Sequence, residues 1–92
     1  MSSDYSFIYT EKVLKQLKKM DKQVSKYIIN YIEKNLIKTQ NPRLSGKALV
    51  GDKNGLWRYR IGNYRLICQI NDRELVILAL NIGHRREVYS KY

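Results

Sequence analysis

The sequence is poor in the residues that build covalent or metal frameworks: one cysteine, one histidine and one proline in 92 residues. A lone Cys68 excludes an intrachain disulfide framework, and with His84 as its only soft companion it excludes a structural zinc site. No metal is expected. No apolar run approaches the length of a bilayer-spanning helix, and the opening MSSDYSFIYT lacks the basic patch and apolar stretch of a secretory signal, so a soluble cytoplasmic protein without a membrane role is expected. Gly46, Gly51 and Gly55 match neither the P-loop nor the dinucleotide spacing, which implies no nucleotide cofactor. Acid is the other shortage. Eight Asp and Glu against 18 Lys and Arg leave a net charge of +10, a field that concentrates polyanions and favours nucleic acid or an acidic protein as partner.

What is present reads as a single domain over residues 1–92, long enough for one core. Tyr5 to Tyr9 has the aromatic and β-branched content of a strand. Thr10 suits a helix cap, and Val13, Leu14, Leu17 and Met20 then recur at helical spacing. Asp21 caps a second helix whose stripe is Val24, Tyr27, Ile28, Tyr31, Ile32 and Leu36, making an αα-hairpin with lysines outward that Asn41-Pro42 stops. From Arg43 to Gly55 an irregular crossover is expected, anchored by Leu44, Ala48, Leu49 and Leu56. In it Lys47 and Lys53 are candidates for phosphate contacts.

The segment LWRYRIGNYRL, Leu56 to Leu66, carries the clearest pattern. Two alternating runs flank Gly62-Asn63, which predicts a two-residue hairpin turn and hence the pairs Ile61/Tyr64, Arg60/Arg65, Tyr59/Leu66, Arg58/Ile67 and Trp57/Cys68. Alternation puts Trp57, Tyr59, Ile61, Tyr64, Leu66 and Cys68 on an apolar face. Arg58, Arg60 and Arg65 fall on the other. Like charges set opposite one another cost stability, and an anionic ligand would relieve the Arg60/Arg65 pair. After Asn71-Asp72, the run Glu74 to Ile82 is apolar on both faces, as in a strand at the core of the sheet. Gly83 should break that strand and release the polar cluster His84-Arg85-Arg86-Glu87-Val88-Tyr89.

A strand, an αα-hairpin, a glycine-containing crossover, then LWRYRIGNYRLICQI and NIGHRREVY together resemble the RelE/ParE superfamily of bacterial type II toxins, most closely its RelE-like branch. The resemblance implies an α+β, RelE-like fold: an N-terminal strand, the αα-hairpin and a C-terminal antiparallel meander with the helices on one face. It also implies a metal-independent endoribonuclease that enters the ribosomal A site, cuts mRNA and is held inactive by an acidic antitoxin. Carried over by position, Arg65 and Arg85 would hold the scissile phosphate, Arg58 and Arg60 would bind the backbone and stabilise developing charge, and Tyr89 would stack on the base or move a proton.

The chemistry would be attack of a 2′-hydroxyl on the adjacent phosphate. Well-known members carry lysines where Arg58 and Arg60 stand, and a guanidinium does not give up its proton, so the general base moves elsewhere. His84 is the candidate, since imidazoles titrate near neutral pH; Asp52 is the nearest carboxylate before the hairpin. The alternative within the superfamily is a ParE-like toxin that inhibits DNA gyrase by binding.

Overall fold

The computed structural model describes residues 3–49 and 55–88; Asp52, Lys53 and Tyr89 lie outside the described residues. The elements are β1 (Ser6–Tyr9), α1 (Glu11–Lys19), α2 (Lys22–Asn35), β2 (Lys47–Ala48), β3 (Leu56–Ile61), β4 (Tyr64–Asn71), β5 (Val76–His84) and α3 (Arg85–Val88). They form one five-stranded sheet in the order β1-β5-β4-β3-β2, with β1 parallel to β5 and the remaining neighbours antiparallel. The architecture is the expected α+β arrangement.

Local chemistry places the helices. Thr10 accepts from the Val13 N–H and Asp21 from the Gln23 N–H, so each helix starts at the expected cap. The α2 helix ends at Asn35, well before proline: Asn35 donates its side chain to the Tyr31 carbonyl, and Lys38 turns into the left-handed region at φ +62°. Val13 and Leu17 of α1 and Ile28 and Ile32 of α2 are buried against Tyr59, Ile61, Leu66, Cys68, Ile70, Ile77 and Ile82 of the sheet. Each such aliphatic side chain contributes about 1.5–3 kcal/mol by leaving water. Two members of the expected stripes stay outside, Leu14 at 46% exposure and Tyr27 at 60%. Tyr27 covers Gly62 at the hairpin tip.

The β3–β4 register is the expected one at all five pairs, from Ile61/Tyr64 to Trp57/Cys68. Gly62 has φ +60° while Asn63 does not enter positive φ, the pattern of a II′ turn. One bulge, between Ile67 and Cys68 opposite Asn81 and Ala79, interrupts the β4–β5 ladder. The freed edge of β5 beyond β1 is capped by Gln16, which donates to the Asn81 side chain and accepts from the Ile82 N–H.

Gly83 does not break β5, which runs on to His84. A Cβ at position 83 would stand 3.1 Å from Val88 Cγ2, so the missing side chain lets α3 fold back and bury Val88 on the sheet. In the crossover, Leu44 is 83% exposed and anchors nothing, and Ala48 is exposed as well. Just before the crossover Pro42 is buried, and its carbonyl accepts from the Tyr59 hydroxyl.

Candidate nucleic-acid interface

The sheet face turned away from α1 and α2 is ordered by register, with α3 folded onto its β5 end at Gly83. Lys47, Arg58, Ile67 and Asn81 lie in one cross-strand row, and Arg60, Arg65 and Gly83 in the next. Two residues along a strand separate the rows by roughly 7 Å. Lys47, Arg58, Arg60 and Gly46 line a concavity of about 130 Å³. Three cations from three sequence positions thus converge on a volume suited to a phosphate group, because β2 adds an unexpected short strand that sets Lys47 against Arg58.

Arg65 sits differently from its neighbours. It is 5% exposed, and its Nη1 donates to the Gly62 and Tyr64 carbonyls, both at 2.9 Å. The guanidinium therefore fastens the hairpin turn, and the like-charge cost expected opposite Arg60 is offset by carbonyl dipoles within the chain. Arg65→Ala is expected to lower the unfolding free energy by about 1.5–3 kcal/mol, the range for hydrogen bonds from a charged donor. Urea denaturation measures it, and a loss below about 0.5 kcal/mol would mark an ordinary surface arginine.

Arg85 is exposed at the start of α3, where its N–H donates to the Asn63 carbonyl at 3.0 Å and ties that helix to the turn. His84 is placed on the α1 and α2 side of the sheet. It pairs with Tyr64, meets that ring edge-on at 5.8 Å, and lines a separate cavity with Gln16, Lys19, Asp21 and Glu87. The imidazole and the Lys47–Arg58–Arg60 concavity therefore lie on opposite faces. Cys68 is fully buried, and burial raises its thiol pKa, which keeps it protonated and unreactive. Among the described residues no group of three or more His, Cys, Asp or Glu is arranged to hold a metal. None of their helices is long and apolar enough to cross a membrane.

Residues that carried no expected role hold the segment that leads into β2. Arg43 donates from both terminal nitrogens to Asp72, at 2.8 and 3.0 Å, and its guanidinium lies 5.9 Å from the Trp57 ring centroid. Asp72 also accepts from the Tyr5 hydroxyl at 2.6 Å. The Arg43 hydrogen bonds first, and the Tyr5 bond second, hold the Asp72 carboxyl below its usual range. Trp57 Nε1 donates to the Ser45 carbonyl at 2.8 Å, and Gly46 at φ +82° passes so close to β3 that no side chain fits. The adjacent Gly46-Lys47 in a basic loop was the one local signal for this arrangement.

The family model described as "ParE toxin of type II toxin-antitoxin system, parDE" matches residues 7–89. Toxin RelG of Mycobacterium tuberculosis is 24% identical over 87 residues, covering 95% of this chain and 98% of that protein. Among solved structures, the toxin–antitoxin complex RelBE2 of M. tuberculosis contains a chain that superposes with TM-score 0.78 at 23% identity, covering 95% of this chain and 98% of that one. A double-arginine mutant of Escherichia coli toxin RelE in the free state gives 0.73 at 24% identity, covering 95% and 92%. The archaeal RelE–RelB complex of Pyrococcus horikoshii gives 0.68 at 25% identity, covering 95% and 99%.

Proposed function

The chain belongs to the ParE toxin family of type II toxin–antitoxin systems, within the RelE/ParE superfamily, and from that premise we propose that it is a ribosome-dependent endoribonuclease. The observation that carries this reading is the convergence of Lys47, Arg58 and Arg60 on one phosphate-sized concavity. A site of that composition favours a phosphate that gains negative charge.

In the proposed reaction the mRNA 2′-hydroxyl gives up its proton as its oxygen bonds to the adjacent phosphorus, and the bond to the 5′-oxygen of the next nucleotide breaks as that oxygen takes up a proton. The products are a 2′,3′-cyclic phosphate and a 5′-hydroxyl. Arg58 and Arg60 hold the non-bridging oxygens and stabilise the added charge of the phosphorane, Lys47 holds the flanking backbone, and exposed Arg85 approaches the same strand from the hairpin end. Arg65 contributes by holding the turn that sets Arg60 in place. Tyr89 keeps the part the resemblance implies, stacking or proton transfer, and Lys53 keeps the backbone contact read from its place in the crossover. His84, across the sheet, is given no part in moving the proton. The ribosome supplies the positioned mRNA.

An acidic antitoxin is the proposed inhibitor, for the field of a +10 chain draws an acidic segment onto the same cations. Solved relatives include complexes of a toxin with its antitoxin. The second reading, inhibition of DNA gyrase by binding, is favoured by the ParE description of the matching family model. Induction in a bacterial host, with mRNA ends mapped by primer extension while translation is on or off, separates the two. Cuts within codons that require translation support the ribonuclease; growth arrest with gyrase-linked DNA breaks and no such cuts supports the gyrase reading.

A further inference from the structure

Lys47 reaches its place on an arm with little structure of its own. The β2 strand is two residues long, and residues 42–46 before it form neither helix nor strand. Such a segment is held by whatever side chains grip it. The Tyr59 hydroxyl binds the Pro42 carbonyl, the Trp57 indole binds the Ser45 carbonyl, and the Tyr31 hydroxyl lies 3.2 Å from Ser45 Oγ. A further grip is Arg43 on Asp72, and it reaches the turn at the far end of β4 from the hairpin tip.

Asp72 is not needed to close that turn. Asn71 does so, accepting from the Glu74 N–H at 3.0 Å and donating to the Glu74 carboxylate at 3.1 Å. Asp72 instead takes three hydrogen bonds from residues distant in sequence, two from Arg43 and one from Tyr5. Arg43 is thereby turned away from the cationic concavity and stacked over Trp57, the ring that also holds Ser45.

We infer that Arg43 and Asp72 are positioning residues: their two-point ion pair clasps the 42–48 arm to the β4–β5 turn and so sets Lys47 beside Arg58 without touching the RNA. The consequence for RNA rests on the reading of Lys47 as a phosphate contact; the clasp itself does not. The pair is partly exposed, so its effect is modest in size and distinctive in sign.

The test uses the full chain as wild type, Asp72→Asn, Lys47→Ala and the double variant. The indole N–H of Trp57, the single tryptophan, is followed by NMR, and binding of a labelled single-stranded oligoribonucleotide by fluorescence anisotropy across a salt series. In Asp72→Asn the indole resonance moves and its hydrogen exchange quickens, because the bond to Ser45 loosens. RNA affinity falls about threefold, the scale of an exposed ion pair. Removing an acid makes the protein more cationic, so long-range electrostatics alone tightens binding; a fall therefore reports lost position. The salt slope drops by about one phosphate contact, as in Lys47→Ala, and the double variant binds no more weakly than Lys47→Ala. An unchanged indole signal, or tighter RNA binding by Asp72→Asn while Lys47→Ala weakens it, overturns the clasp. If the indole moves but Lys47→Ala binds RNA as wild type does, the clasp stands and the phosphate role of Lys47 falls.

Discussion

Replacing both strand arginines, Arg58→Ala with Arg60→Ala, is expected to abolish mRNA cutting while the protein remains folded. Each guanidinium is proposed to meet charge that appears on the phosphate only as the 2′-oxygen attacks. Loss of one such preorganised donor costs roughly 2.7–4 kcal/mol of transition-state stabilisation, about 10²–10³ in rate, so two losses bring cleavage down by about 10⁴ or more. The fold should tolerate this. Arg60 is exposed and Arg58 half-buried, both on the face away from the main core, and the Arg65 bonds that fasten the turn are untouched. Primer extension at matched induction measures the cuts, and a urea melt checks the fold. Lysines at both positions keep the charge but lose the planar fork, so cleavage should recover in part. Full cutting by the double alanine variant would remove the two arginines from the chemistry.

Gly46→Ala is expected to displace the arm and disable the concavity. A Cβ on Gly46 would stand 2.2 Å from the Arg58 carbonyl oxygen and 2.6 Å from Trp57 Nε1, at a φ of +82° that a side chain resists. The first clash is with backbone inside the β2–β3 pairing, so no rotamer change relieves it. The arm must lift off β3, which parts Lys47 from Arg58 and breaks the Trp57–Ser45 hydrogen bond. RNA binding should fall about tenfold, equivalent to about 1.4 kcal/mol, and the indole signal should move toward that of exposed tryptophan. Gly55→Ala is the matched control. It shares a positive φ of +74°, but its Cβ would meet nothing closer than the Ile70 carbonyl at 3.4 Å, so it carries backbone strain without the collision. Similar losses from both glycines would mean that conformational strain, and not the close approach to β3, governs the arm.

The helix caps and the hairpin were legible because each is a local property. A threonine or aspartate with a free oxygen satisfies N–H groups two or three residues ahead, wherever the helix later packs. A two-residue turn with glycine at its first central position allows one register, and that register alone puts Arg58 and Arg60 on the face opposite Tyr59 and Ile61. The RelE/ParE membership followed from the same ordered motifs.

What only the tertiary structure decided depends on approaches between residues far apart in the chain. Arg60 and Arg65 look alike in an alternating pattern, yet one is exposed and the other is folded onto the turn carbonyls, since the path of a long side chain is set by its acceptors. Tyr27 and Leu14 fit helical stripes but stay exposed, because a stripe has a period and no knowledge of where its partner ends. Gly83 looked like a strand breaker and serves as a seat for Val88, a role that exists only once α3 turns back. His84 adjoins Arg85 in sequence, but strand alternation and the onset of α3 separate its ring from the cationic face. The sequence by itself determined the register, the caps, the charge and the family. The tertiary structure decided which cations share a site, because Lys47 joins Arg58 and Arg60 through a glycine that can touch β3 and an Arg43–Asp72 pair that spans 29 residues.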